Sequence, residues 1–304
     1  MPRFIKRVTG LGLLGLVVAW FLSAPEYVDP DTYTALDLDP AAGERVFYAA
    51  GCASCHSAPD AKGEAKLILS GGRSFPSDFG TFVAPNISPA PALGIGDWSV
   101  ADLANAMING VSPDGAHYYP AFPYTSYQRM KPQDIADLYA FLQTLPASSE
   151  PSQKHQVGFP YDVRRTLGLW KLMFAKGGPV VNFPEDTDPA ILRGQYLVEG
   201  PGHCGECHTS RNPLGGLNFD QWLAGGPNPD GPGRVPNITA HADGLADWTE
   251  ADIAEYLSSG LTPSFDTAGG LMVAVVENTK HLSDEDRLAI AAYLKAIPAL
   301  PKAP

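Results

Sequence analysis

The feature that most constrains this chain is a five-residue pattern, Cys-x-x-Cys-His, which occurs at residues 52–56 and again at 204–208. The two copies use every cysteine in the sequence: Cys52, Cys55, Cys204 and Cys207, followed by His56 and His208. Two thiols with two residues between them can reach both vinyl groups of one haem, and the adjacent histidine then meets the iron. The pattern predicts two covalently bound haem c groups with iron, in preference to disulfides or a zinc site.

The sequence around each motif repeats at an offset of about 150 residues. The repeated runs are 85–87 with 236–238, 97–99 with 247–249, and 134–142 with 286–294. Four separate anchors, counting the cysteine motifs, favour a tandem duplication over coincidence. We therefore expect one domain at 38–146, a second at 188–300, and a linker at 147–187.

Each copy predicts the same helices and no convincing strand. A first helix leads into the motif (41–50 and 189–198), a second begins at the N-cap residue Ser99 or Thr249, and a last begins after Met130 or Leu282. The apolar positions of 163–174 follow helical spacing, which predicts a connecting helix packed across both domains or, alternatively, a docking face. The expected fold class is mostly α, with two tandem class I cytochrome c domains plus an N-terminal transmembrane helix.

The first 25 residues predict export of the chain. Basic residues precede an apolar run at 8–24, which is short for a membrane-spanning helix. We favour an uncleaved membrane anchor over 1–25, with a cleaved signal peptide as the alternative. Either way the expected location is the inner (plasma) membrane, with the haem domains in the periplasm.

The sixth iron ligand separates an electron carrier from a catalytic haem. In the second copy Met272 lies on a loop before the last helix and is the predicted metal ligand. The equivalent position in the first copy is Phe122, which cannot bind iron. Met130 is the leading substitute, with His117 and an open site as alternatives; Met107 is expected in the core.

Four further residues are predicted to contact the cofactor. Trp98 and Trp248 could offer ring nitrogens to haem propionates, and Asn86 and Asn237 could fix the loop at the haem edge. Plain core packing is the competing interpretation for all four. The net charge of −12 argues against a nucleic-acid partner.

The runs 85–88, 94–98, 119–127 and 202–208 make the chain resemble the multihaem cytochrome c subunits of membrane-bound alcohol, aldehyde and gluconate dehydrogenases. The resemblance spans about residues 38–300. It implies electron acceptance from periplasmic dehydrogenase subunits and delivery to quinone or a terminal oxidase. Relatives often carry a methionine just ahead of the last helix, which Met130 matches. One difference is that the subunits of this family hold three haem motifs, whereas this chain holds two.

The leading hypothesis is an electron-transfer protein with no catalytic residues, a subunit of or partner to an oxidoreductase complex in a respiratory chain. The alternative is a dihaem peroxidase-like enzyme with one open haem, which the missing methionine at Phe122 keeps in contention. A haem-based gas sensor ranks below both, because the chain shows no output domain.

Overall fold

The computed structural model describes residues 3–229 and 231–303 and is mostly helical. The helices of the first copy and the segment before it are α1 (Arg3–Leu22), α2 (Asp31–Thr34), α3 (Pro40–Ala49), α4 (Cys52–His56), α5 (Val100–Ala104), α6 (Tyr124–Tyr127) and α7 (Pro132–Leu142). A 3-10 turn at Gly63–Leu67 and a π-helical turn at Asn105–Asn109 complete this part.

The linker contributes one helix and the second copy largely reproduces the pattern of the first. The helices are α8 (Thr166–Phe174), α9 (Pro189–Glu199), α10 (Gly205–His208), α11 (Glu250–Ser259), α12 (Met272–Thr279) and α13 (Asp284–Ala296), with a 3-10 turn at Phe219–Gln221. The expected starts of the second and last helices are confirmed to within about two residues.

Two small hairpins were not predicted from the sequence. β1 (Ser74–Ser77) pairs antiparallel with β2 (Gly80–Val83), and β3 (Gly226–Pro227) pairs antiparallel with β4 (Arg234–Val235). Strands this short show no alternation of polar and apolar residues, and turn geometry sets their pairing. Both lie in the loops between each cysteine motif and the following helix.

Local sequence explains where the second helix of each copy begins. Ser99 and Thr249 each form a capping box, in which the hydroxyl accepts from the backbone N–H three residues on. In return, the carboxylates of Asp102 and Asp252 accept a hydrogen bond from the backbone N–H of the N-cap residue. The two caps provide acceptors for N–H groups that the first turn of an uncapped helix would leave unpaired.

The two copies have separate hydrophobic cores built on one helix crossing. α3 packs on α7 in the first core, and α9 packs on α13 in the second. A glycine permits each close approach, because a Cβ on Gly43 would lie 1.9 Å from the Asp137 carbonyl and one on Gly194 would lie 1.8 Å from that of Ala289. These crossings place the end of α3 or α9, and therefore the motif that follows, against its own core.

The predicted linker helix is confirmed as α8, and it touches both copies. The Trp170 indole N–H donates to the Leu214 carbonyl at 2.8 Å, and Phe174 packs on Gly216. On the other side, the Lys171 ammonium donates to the carbonyls of Asn109 and Gly110. α8 therefore fixes the second copy against the first.

The expectation of a transmembrane anchor at 1–25 is not supported. Across the parts of the chain that the structure describes, no helix combines the length and the apolar character needed to cross a membrane. The end of α1 packs on α8, where the Arg165 guanidinium lies 4.4 Å from the Trp20 ring.

Candidate haem sites and the interface between them

Each cysteine motif forms a single helical turn at the end of the first helix of its copy. α4 carries Cys52 to His56, and α10 covers the end of the second motif at Gly205–His208. Burial raises the pKa of Cys52 and of Cys204 to about 12, and the second cysteine of each pair adds to the rise. Each motif thus presents its first cysteine as a neutral thiol in an apolar setting.

Within residues 9–229 and 231–303, no group of three or more His, Cys, Asp and Glu side chains lies close enough together to hold a metal ion. One histidine and two cysteines at each motif point to a different arrangement, in which the protein supplies one axial nitrogen and two covalent attachments.

The two motif histidines are oriented alike by a backbone carbonyl. Nδ1 of His56 lies 2.9 Å from the Pro85 oxygen, and Nδ1 of His208 lies 2.8 Å from that of Pro236. A carbonyl oxygen can only accept a hydrogen bond, so Nδ1 carries the proton and Nε2 keeps its lone pair for iron. Burial lowers the pKa of both rings, against the opposing effect of these bonds. Both rings are therefore held in the neutral form that binds metal.

The two predicted loop asparagines lie next to those carbonyls, yet their amides bind backbone. Asn86 donates to the carbonyls of Ser148 and Glu150, and Asn237 donates to that of Leu300. Their side-chain oxygens accept from the N–H two residues on. The geometry assigns them to positioning the proline carbonyl, and their direct contact with the cofactor remains only a prediction.

The two predicted tryptophans are half-buried against their cores. Trp98 packs on the first cluster and Trp248 on the second. The Trp98 carbonyl accepts from the Tyr139 hydroxyl at 2.8 Å, and the Trp248 ring lies edge-on to Tyr256. These contacts fix each ring at the rim of its core, where the predicted propionate contact is still untested.

The candidate distal ligands occupy different settings. Met130 is buried at 5% exposure in the same cluster that Cys52 packs against. Met272 is half-buried at the first position of α12. Phe122, its counterpart in the first copy, packs edge-on against Tyr118 and Tyr127. Met107 lies in the first core, as expected.

His117, the alternative ligand of the first haem, has both ring nitrogens engaged elsewhere. Nε2 lies 2.9 Å from the Ser23 carbonyl oxygen, and Nδ1 lies 2.9 Å from the Lys171 ammonium. Binding iron would require breaking one of these contacts in a buried setting. The structure therefore does not favour a bis-histidine site in the first copy.

The second motif reaches into the first copy through a buried acid that the sequence analysis did not single out. Glu206, between the two cysteines, accepts from the hydroxyls of Thr125 at 2.7 Å and Ser126 at 2.8 Å, and pairs with Arg211. Burial alone would raise the pKa of Glu206, but Arg211 and the two hydroxyls outweigh it and the net shift is downward. A carboxylate is thus fixed between the two motifs.

The first motif makes the corresponding contact in the other direction. Ser54 occupies the place of Glu206 in its motif, and its hydroxyl accepts from the Asn278 amide of α12 at 2.8 Å. Asn278 is the repeat equivalent of Ser126, 152 residues earlier. Each motif therefore touches the same short helix of the opposite copy, as a two-fold arrangement requires.

A second pair of contacts obeys the same pseudo-symmetry. The Tyr48 ring of α3 stacks on His281 at 3.8 Å with the planes 7° apart. At the equivalent positions the Glu199 carboxylate lies 3.9 Å from Arg129. Arg129 also donates to the Gly178 and Thr125 carbonyls. The repeat offset was the signal that could have found these residues, because it pairs Ser54 with Glu206 directly.

Comparison with known proteins supports the cofactor and the class. The cytochrome c family model matches residues 40–146. The chain is 54% identical over 300 residues, 99% of its length and 100% of the relative's, to a protein described as "Diheme cytochrome c-type" from Cereibacter sphaeroides.

Two other relatives are subunits of larger enzymes. The fructose dehydrogenase cytochrome subunit of Gluconobacter japonicus is 36% identical over 84% of this chain and 52% of its own length. The cytochrome c subunit of the quinone alcohol dehydrogenase of Gluconobacter oxydans is 36% identical over 86% of this chain and 55% of its own. The chain thus spans about half the length of these dehydrogenase subunits, whereas it covers the dihaem relative in full.

The motifs, the neutral histidines with a free Nε2, and a full-length relative of the same description agree. The chain belongs to the cytochrome c family as a dihaem c-type cytochrome that binds haem c covalently, and it is homologous to electron-transfer subunits of dehydrogenases.

Proposed function

We propose that this protein is a two-site electron relay that takes electrons from a dehydrogenase and passes them to a quinone or a terminal oxidase. The observation that carries the proposal is the interface: each cysteine motif contacts the opposite copy, through Ser54 to Asn278 and through Glu206 to Thr125 and Ser126. Such contacts hold the two sites in a fixed relation, as a relay needs and as two independent domains on a flexible linker would not provide.

The residues of each site hold the cofactor and keep its coordination closed. His56 and His208 are the proximal ligands, with their orientation set by the carbonyls of Pro85 and Pro236. Met130 and Met272 are the proposed distal ligands. Haem c bound in this way supplies one-electron iron chemistry. With Met130 and Met272 as ligands the iron would have no open position, and the protein would transfer electrons without substrate chemistry of its own.

The partners follow from the relatives and from the chemistry. The fructose and alcohol dehydrogenase subunits are cytochrome components of those enzymes by their descriptions, which supports a dehydrogenase as donor. The net charge of −12 would steer a basic partner surface toward this protein. We place it outside the cytoplasm, at the inner membrane, because haem c attachment in bacteria takes place on that side.

The rival function is a dihaem peroxidase-like enzyme with an open first site. Phe122 favours it, because it stands where the second copy has Met272. Against it, Met130 lies buried in the first core with Cys52, and thus close to where the cofactor attaches. The two functions predict different spectra for the same variants.

The deciding experiment is the near-infrared methionine–iron band of the ferric holoprotein, in Met130→Ala, Met272→Ala and the control Met173→Ala. Met173 is half exposed on α8, so its loss should leave the band unchanged. If both sites are closed, each of the first two variants loses about half of the band and gains a high-spin signal. An unchanged band in Met130→Ala, with carbon monoxide binding to the reduced wild type, would favour the peroxidase-like enzyme.

A further inference from the structure

The residue directly before the second motif has a backbone conformation that its side chain does not favour. His203 has φ of 39°, in the left-handed region. The residue directly before the first motif is Gly51, with φ of 60°. The Cβ of a non-glycine residue makes this region unfavourable. The contacts of the His203 side chain must therefore offset the strain in its backbone.

Those contacts lead out of its own copy. Nδ1 of His203 lies 2.8 Å from the Pro201 carbonyl, which fixes the ring. The ring then meets Tyr127 of α6 edge-to-face, with centroids 5.6 Å apart and planes at 72°. Aromatic pairs favour this geometry. The strained residue thus presents its ring to the first copy.

Tyr127 in turn belongs to the surroundings of the first motif. Its side chain is buried at 6% exposure in the first core, the cluster that Cys52 packs against. Its hydroxyl donates to the Ala50 carbonyl, two residues before that cysteine, at 3.4 Å. Burial raises the pKa of Tyr127 well above its ordinary value, and charge on Cys52, Cys55 and Glu206 adds to the rise. Its hydroxyl is therefore close to both motifs.

The pair exists on one side of the pseudo-two-fold only. The repeat equivalent of Tyr127 is Thr279, and the counterpart of His203 is Gly51, which has no side chain. The equivalent place on the other side therefore lacks both rings. The Tyr127–His203 contact therefore has no counterpart across the pseudo-two-fold, and it is separate from the Tyr48–His281 stack between α3 and the segment before α13.

We propose that the Tyr127–His203 contact is the route by which an electron crosses between the two haem sites. This inference rests on the proposed relay function. The step moves one electron: the iron bound by one motif is oxidised as the iron bound by the other is reduced, and no bond or proton changes place. The two packed rings fill the space between the sites, and an electron tunnels through packed atoms more readily than through a gap or a water.

The test uses the full holoprotein with His203→Gly, Tyr127→Leu and Tyr127→Phe. In half-reduced samples, exchange between the shifted haem-methyl resonances of the two sites gives the inter-haem rate, and dilution separates it from exchange between molecules. We expect His203→Gly and Tyr127→Leu to slow the intramolecular rate severalfold. Tyr127→Phe, which keeps the ring, should retain it.

Two further readouts separate conduction from structure. His203→Gly removes the backbone strain together with the ring contact that offsets it, so its thermal midpoint should stay close to that of the wild type, and the reduction potentials of both sites should not change. A slower rate with unchanged potentials and undiminished stability supports the route. An unchanged rate in His203→Gly overturns it. If the wild type itself shows no intramolecular exchange, the relay function fails, which is a different outcome.

Discussion

The two copies meet the same way but with different chemistry. Where the first motif offers Ser54 to an amide, the second offers Glu206 to two hydroxyls. Where α3 presents Tyr48 to a histidine ring, α9 presents Glu199 to a guanidinium. Of these four contacts, the two made by α3 and the first motif are neutral, and the two made by α9 and the second motif carry a carboxylate. The Lys66–Glu277 ion pair and the Tyr127–His203 ring contact show that neither side is purely of one kind.

The difference shows which features the architecture requires and which it leaves open. Helix crossings, proline carbonyls and capping boxes occur in both copies with the same geometry, because they place the histidine and the cysteines. The residues between the copies are under no such requirement, since either kind of contact closes the gap. Substitutions in matched pairs can therefore separate shared architecture from divergent chemistry.

The largest expected effect concerns the shared architecture. We predict that Gly43→Ala and Gly194→Ala each destabilise the protein by about 3 kcal/mol or more, because the new Cβ would overlap a backbone carbonyl. The intrinsic helix preference of alanine returns only about 1 kcal/mol. Thermal unfolding followed by circular dichroism should show a loss of roughly 10 °C in each variant.

Gly158→Ala is the matched control, because a Cβ there meets nothing within 4 Å. Its midpoint should stay close to that of the wild type. If Gly194→Ala kept the wild-type midpoint while Gly43→Ala lost stability, the α9–α13 crossing would have adjusted to the new Cβ. The two cores would then not be equivalent.

The second prediction sharpens the difference at the motifs. Glu206→Ala leaves the hydroxyls of Thr125 and Ser126 and the Arg211 guanidinium without their acceptor, and should cost about 2 kcal/mol. Ser54→Ala removes one neutral hydrogen bond and should cost about 1 kcal/mol or less. Chemical denaturation of the holoproteins gives both values.

The same pair should differ in its dependence on pH. The lowered pKa of Glu206 means that its stabilisation is present above the carboxyl's unfolded pKa and is lost as pH falls through the folded value. The difference in the free energy of unfolding between wild type and Glu206→Ala should therefore shrink in acid. The corresponding difference for Ser54→Ala should not change with pH. Parallel curves for the two variants would contradict a buried carboxylate at this interface.

Much of the fold could be predicted from the sequence, because it follows from local signals. The caps at Ser99 and Thr249, the linker helix and the final helices appear where propensity and spacing put them. The motif histidines and cysteines follow from covalent geometry alone. By contrast, the hairpins, set by turns rather than pattern, were missed, and the expected membrane anchor is not supported.

The interface could not be read from the chain in the same way. His203 carries no pattern that marks it, and its role depends on Tyr127, which is 76 residues away. The sequence predicted that Asn86 fixes the loop at the haem edge, but it could not name the partners of the amide, which lie after α7 at Ser148 and Glu150. Contacts between distant segments need the fold before they can be assigned.

The third prediction returns to a feature that the copies share. Ser99→Ala and Thr249→Ala each remove the acceptor for the N–H of Asp102 or Asp252, and each should cost about 1 kcal/mol. Equal losses in unfolding experiments would show that the two second helices depend on their caps to the same degree. Ser99→Thr and Thr249→Ser, which keep a hydroxyl that accepts from the N–H and donates to the Asp102 or Asp252 carboxylate, should recover most of the stability.

The smallest expected effect tests the aromatic side of the interface. Burial, and then the positive charge of Lys280, lower the pKa of His281, with Glu44 acting in opposition. The stacked ring therefore favours the neutral form, so its contribution is fully present above about pH 6.5 and declines as pH falls through that value. His281→Phe can still stack on Tyr48 without titrating.

The variant and the wild type should show the same thermal midpoint at pH 8, and the wild type should become slightly less stable than the variant toward pH 5. A difference that stays constant across this range would mean that the Tyr48–His281 contact does not depend on the charge of the imidazole, and that only the Glu206 side of the interface responds to acid.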